Sequence, residues 1–223
     1  MQKFVTTAPI VAVLDVPAGR IRIVAAEREL TTVVIEPADA SKGRDVKAAE
    51  RAVVAYDNGV LRVGAGPAGS QYFGASGCLD VRIELPAGSR VEGKSGAAEL
   101  RTAGRLGEVG FDGGQGTVEV EESAGLRLTV HAADVSVGRL AGDSDIQVAS
   151  GDINIAEAHH GTLTLRTESG RITVGAAHGV SATLDAGTSH GRIHNALTNT
   201  EGGAAALNIH ATTSSGDITA RSL

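Results

Sequence analysis

A glycine-anchored tetrapeptide returns along the last two thirds of the chain. It reads Ser150-Gly151-Asp152-Ile153, Ser169-Gly170-Arg171-Ile172, His190-Gly191-Arg192-Ile193 and Ser215-Gly216-Asp217-Ile218. Looser copies are Ser95-Gly96-Ala97-Ala98, Gln115-Gly116-Thr117-Val118 and Ala132-Ala133-Asp134-Val135. Anchors at 96, 116, 133, 151, 170, 191 and 216 are spaced by 20, 17, 18, 19, 21 and 25 residues. A recurrence of this length marks a supersecondary unit that buries its inner face only by stacking on its neighbours.

What surrounds each anchor defines the unit. The second column after it is apolar (Ala98, Val118, Val135, Ile153, Ile172, Ile193, Ile218), the third mostly polar, and the fourth mainly apolar again. A period of two is the signature of a strand with one face buried. A second alternating run precedes most anchors, as in Leu126-Arg127-Leu128-Thr129-Val130 and Leu163-Thr164-Leu165. Each unit is therefore strand, tight corner, strand, and then a variable loop. Gly96, Gly116, Gly151, Gly170, Gly191 and Gly216 are the expected structural corners.

The expected fold is all-β: a β-solenoid (β-helix) of stacked two-strand coils spanning residues 89–223. A sandwich of regular hairpins would also alternate, but it does not call for the same residue at the same corner each time. Composition agrees with the solenoid. Aromatic content is 2%, with no Trp, and there are 30 Gly. Val, Ile, Leu and Ala fill a thin layered core, and glycine makes the corners.

Residues 1–88 are less regular and read as an irregular β region capping the solenoid. Val11–Leu14, Arg20–Val24, Thr32–Ile35, Val60–Val63 and Asp80–Leu85 are expected strands, Ala18-Gly19-Arg20-Ile21 is a degenerate corner, and Arg44–Ala52 is the one expected helix. Gly64 to Gly77, rich in Gly, Ala and Ser, reads as a mobile loop.

These residues resemble the bacterial "putative adhesin" family of β-strand-repeat proteins, a domain of unknown function whose hallmark is repeated Ser-Gly-Asp-Ile corners, related to autotransporter-adhesin head domains. The best matches are Ser150–Ile155, Ser169–Val174 and Thr213–Ile218; the strand ending in Val81-Arg82-Ile83-Glu84-Leu85-Pro86 fits the family's front half. The resemblance implies a β-solenoid with no established enzyme activity. Its adhesin label implies an exported protein, and some members belong to cell-envelope stress systems.

The remaining features narrow the function. Net charge is -6 with no long basic run, which argues against a grip on nucleic acid. Cys78 is the only cysteine, so an intrachain disulfide and a cysteine metal cluster are both excluded. The segment after Met1 lacks a charged region followed by an unbroken apolar run, and Asp15 interrupts the best candidate. No stretch approaches the ~18–20 apolar residues of a membrane span. The expected location is cytoplasmic, with a cell-surface role left open.

Three places in the sequence could carry chemistry. Asp134 and Asp152 stack as acidic neighbours and could ligate calcium, but Arg171 and Arg192 interrupt the column, and a corner cap is the simpler role. His159, His160 and His178 occupy loops of successive coils and could meet at a metal, while exposed loop histidines are the plainer reading. Repeated serines at 150, 169 and 215 lack the Gly-x-Ser-x-Gly elbow that aims a nucleophile. The expectation is no cofactor, no metal and no catalysis. A carbohydrate-active enzyme is the alternative, and it would require carboxylates clustered in a groove on adjacent coils. The last repeat ends on a strand, so its coil is expected to be uncovered and to dock on a second copy through Ile218, Ala220 and Leu223. A homo-oligomer with an unidentified protein or glycan partner is the expected assembly.

Overall fold

The computed structural model describes residues 1–64 and 77–223. The expected loop from Gly64 to Gly77 therefore falls largely outside the described residues. In chain order the elements are β1 (Gln2–Val5), β2 (Val11–Asp15), β3 (Ala18–Ala26), β4 (Leu30–Pro37), α1 (Gly43–Arg51), β5 (Val53–Asp57), β6 (Val60–Gly64) and β7 (Leu79–Pro86). Then follow β8 (Arg90–Leu140), β9 (Ser144–Ser150), β10 (Ile153–Ala158), β11 (Gly161–Ser169), β12 (Ile172–Ala176), β13 (Ala182–His190), β14 (Ile193–Ala196), a short 3-10 turn, β15 (Leu207–Ser215) and β16 (Ile218–Ser222).

Two parallel ladders run the length of the molecule. Strands that precede the corner form a front ladder in the order β5–β6–β2–β8–β9–β11–β15–β13. Strands that follow it form a back ladder, β1–β4–β7–β3–β8–β10–β12–β16–β14. The all-β solenoid of stacked two-strand coils is the observed architecture. β8 reads as one extended run because it wraps through successive coils without leaving extended geometry; Gly107 N–H, for example, donates to Ser89 O one coil back. The N-terminal region supplies two further coils, β2–β3 and β6–β7, before its antiparallel strands begin.

Stacking in register explains the core. Leu126, Ser144 and Leu163 pair in one column, and Val135, Ile153 and Ile172 in another. All of these are buried in one continuous cluster except Ser144, whose hydroxyl accepts from Leu126 N–H at 2.9 Å. Each full Ile or Leu burial contributes about 1.5–3 kcal/mol. Phe111 is the one aromatic in this part of the core. It fits because a Cβ on Gly93 or Gly113 would lie 2.7 or 2.8 Å from its ring. Two glycines thus make room for one large side chain.

The corners need glycine for two reasons at once. Gly170 has φ +156°, and a Cβ there would sit 1.9 Å from Gly151 O in the preceding coil. Gly96 does not hold this position. Ala98 pairs with Gly19, and a Cβ on Gly116 would meet Ala98 O, so Ala98 is the corner of its coil and Gly96 lies two residues earlier. A shift of two leaves a period-two pattern unchanged, which is why the sequence register slips there.

The order of coils corrects a second expectation. β15 lies between β11 and β13, and β16 lies between β12 and β14. The last coil in sequence is therefore the penultimate coil in space. Ile218 and Ala220 are buried inside the stack, not displayed at its end, and only Leu223 of the three proposed docking residues is exposed. The uncovered coil is β13–β14.

At the opposite end, β4 packs antiparallel on β7, β1 on β4, and β5 on β6. Buried Asp45 of α1 accepts from Cys78 N–H at 3.0 Å and ties the helix to the start of β7. The rings of Phe4 and Tyr56 meet with centroids 5.3 Å apart, joining the outer strand of one ladder to that of the other.

Candidate functional site

The outward columns of the front ladder carry a large concavity that crosses several coils. Strands alternate, so core residues such as Val91 and Leu128 send their neighbours Glu92 and Arg127 to solvent. Gly110 and Gly125 interrupt those outward columns and leave a groove of about 840 Å³ from β2 to β11. A Cβ on Gly125 would lie 2.9 Å from Asp143 O and 3.9 Å from Glu108 Cγ, so side chains rise on both sides of a bare floor.

The rim is polar and predominantly acidic. Asp15, Glu92, Glu108, Asp112, Asp143 and Asp145 face three cations, Arg90, Lys94 and Arg127. Arg90 bridges Glu92 Oε1 at 2.8 Å and Glu108 Oε2 at 3.4 Å. Asp143 Oδ1 accepts from Thr162 N–H at 2.8 Å, and Gln147 donates to Asp145. Among the described residues Lys94 and Arg127 line the groove and make no ion pair. Such a rim can hydrogen-bond hydroxyl, amide and cationic groups. It suits general acid chemistry poorly. Glu92 and Glu108 have side chains 48% and 65% exposed, whereas a carboxyl kept protonated for catalysis needs burial.

The corner aspartates do other work. Asp134 Oδ1 accepts from Asp152 N–H at 2.9 Å, Asp152 Oδ1 from Arg171 N–H at 2.7 Å, and Asp217 Oδ1 from Arg192 N–H at 2.8 Å. Each caps the corner of the next coil, not its own. In spatial order this column reads Asp134, Asp152, Arg171, Asp217, Arg192. The displaced coil thus sets Asp217 between two arginines that sequence order would have stacked together, and like charges on adjacent strands repel.

The histidines are not gathered. His159 Nε2 lies 3.4 Å from Glu157 Oε1, His178 Nδ1 lies 3.0 Å from Leu223 O, and His160 is exposed. Among the described residues no group of three or more His, Cys, Asp or Glu is placed to hold a metal ion. No described helix is long and apolar enough to cross a membrane.

The groove itself was missed in the sequence. Its signal was present as outward-column glycines, Gly110 and Gly125, where neighbouring units carry charged or polar residues.

The chain is similar to several solved structures and matches one family. At TM-score 0.57 and 12% identity it is similar to a solved structure described as a putative adhesin from Bacteroides fragilis, covering 98% of this chain and 95% of that one. A putative cell adhesion protein from Clostridium sporogenes is 13% identical over 100% of this chain and 98% of that one, at TM-score 0.44. A putative adhesin from Parabacteroides distasonis is 9% identical over 98% and 95%, at TM-score 0.45. No curated protein matches. The Toastrack DUF4097 family model matches residues 87–221, the greater part of the solenoid and more than half of the whole, and the chain belongs to that family.

Proposed function

We propose that this protein is a non-enzymatic binding and scaffold module of adhesin type, which recognises its ligand with the groove on the front ladder and self-associates through an open end of its stack. The groove carries this reading: a glycine floor flanked by exposed charges, with Lys94 and Arg127 free among the described residues to engage a partner. Carboxylates do cluster across adjacent coils in this groove, the arrangement a carbohydrate-active enzyme would require, but the exposure of Glu92 and Glu108 supports binding over hydrolysis. The adhesin descriptions of the similar structures favour a protein or glycan ligand at a cell envelope; a cytoplasmic scaffold is the competing placement, and fractionation of native cells separates the two.

The test is a binding screen of the full chain against oligosaccharides and envelope extracts, repeated with Gly110→Arg. A Cβ at Gly110 meets only Val91 O at 3.9 Å, so the substitution fills the groove without strain at the backbone. Binding by the native chain and its loss in the variant are expected, with no cleavage of the bound glycan. Equal binding by both would move the recognition surface elsewhere, and release of reducing ends would make the protein an enzyme.

A further inference from the structure

The two ends of the stack are built differently. One is closed by antiparallel strands and by the Phe4–Tyr56 contact between ladders. The other ends abruptly. Down the column Val135, Ile153, Ile172, Ile218 the residues are 0–1% exposed, and at Ile193, the next position, exposure rises to 46%. The core column thus continues to the last coil, and among the described residues no strand lies over it.

The backbone of β13 is open on the same side. β13 pairs in register with β15 from Ala182 to His190, and Leu207 N–H donates to Ser181 O. Consecutive residues of a parallel strand direct their N–H and C=O groups to alternate sides. Thr183, Asp185 and Gly187 therefore face β15, while Leu184, Ala186 and Thr188 direct theirs away from it, where no further strand lies among the described residues.

We infer that this edge pairs antiparallel with the same edge of a second copy, about a two-fold axis at Ala186. The inference rests on the reading of the chain as a self-associating module and names the surface. Centring on Ala186 sets Leu184 opposite Thr188 of the second copy and Ala186 opposite its own equivalent. The outward-directed groups of Leu184, Ala186 and Thr188 then each meet another, and each facing pair exchanges two hydrogen bonds; Ala182 N–H, also outward, already donates to Thr198 O at 3.1 Å and lies outside the paired stretch. The same centring keeps core-facing side chains opposite core-facing side chains, so the layer of Leu184, Ala186 and Ile193 is continued by its own copy. It also places Asp185, the only carboxylate on β13, opposite Gly187 and not opposite another carboxylate. A two-fold contact of this kind closes at two subunits and leaves both capped ends outward. Head-to-tail stacking would instead need the end that Phe4 and Tyr56 occupy.

Sedimentation velocity on the full chain from about 1 to 100 µM is the test. A dimer is expected. Ala186→Pro removes an N–H that the monomer's ladder does not use, on the kind of edge strand that accommodates proline. Ile193→Lys puts a charge into the uncovered layer and checks the surface independently of any backbone effect. Each should weaken the dimer roughly thirtyfold or more with the far-UV circular dichroism unchanged. A dimer indifferent to both variants, or an open-ended polymer, overturns this interface and leaves self-association standing. A strict monomer overturns both; if that monomer still binds through the groove, the binding-module reading survives alone.

Discussion

Thr188 donates its hydroxyl proton to Gly216 O at 3.0 Å, although Gly216 comes 28 residues later in the chain. Thr213 makes the same bond to Gly170 O at 3.1 Å, and Thr167 makes it to Gly151 O at 3.1 Å. A threonine three residues before its own corner thus ties itself to the corner glycine of the neighbouring coil. The series follows the coils in space, not in sequence, and it satisfies a carbonyl at each of these sharp corners.

Thr213→Val keeps the shape and removes the bond. Val130 and Val148 already occupy this column in earlier coils, so the methyl is accommodated. A loss of about 1 kcal/mol is expected, read as a lower urea midpoint with an unchanged slope.

Ile153 and Ile193 share a column but not an environment. Ile153→Ala opens a cavity among fully buried neighbours and should cost about 2–5 kcal/mol. Ile193→Ala, at the half-exposed end, should cost under about 1 kcal/mol in the monomer at low concentration. Chemical denaturation of the two variants side by side measures the difference; equal losses would mean that the end coil is covered.

Gly170→Ala faces both an unfavourable backbone angle and the Gly151 carbonyl. The expected loss exceeds about 2 kcal/mol, which thermal unfolding will show. Ala133, in the same column, is tolerated because it does not take the positive φ of its glycine neighbours.

The Asp39 carboxyl is held down at about 2 by hydrogen bonds from the Ser41 hydroxyl and backbone N–H, with help from Lys42. Its folded value lies below its unfolded one. The stabilisation is therefore present above the ordinary carboxylate range and is lost as pH falls through about 2. An NMR titration of Asp39 should show this low midpoint, and Ser41→Ala should move it upward.

The fold was largely legible because period-two alternation and corner residues are local. β2, β3, β4, β6, β7 and α1 all appear where patterning puts them. Order along the stack was not legible. Ile193 and Ile218 are equivalent members of one column, and nothing in an alternating pattern says which coil rests on Ile172. The hints were indirect: the widest spacing between anchors falls between Gly191 and Gly216, Asn195 stands where other coils carry an apolar residue, and Arg171 and Arg192 would otherwise adjoin. The register error at Gly96 has the same origin, since alternation repeats every two residues. The groove depends on which outward columns lie side by side, and only the assembled stack fixes that.

The displaced coil also bears on how the molecule is made. Synthesis proceeds from the N-terminus at ~5–20 residues per second, so β13–β14 leaves the ribosome before β15–β16, on which it finally rests. In that interval the edge of β11–β12 is bare, and β13–β14 is the next strand pair to reach it. The two strand pairs are of nearly identical chemistry, and a chain that seated β13–β14 on that edge would have to exchange it for β15–β16 to reach the native order. The native order of this solenoid therefore differs from the order in which its coils are made.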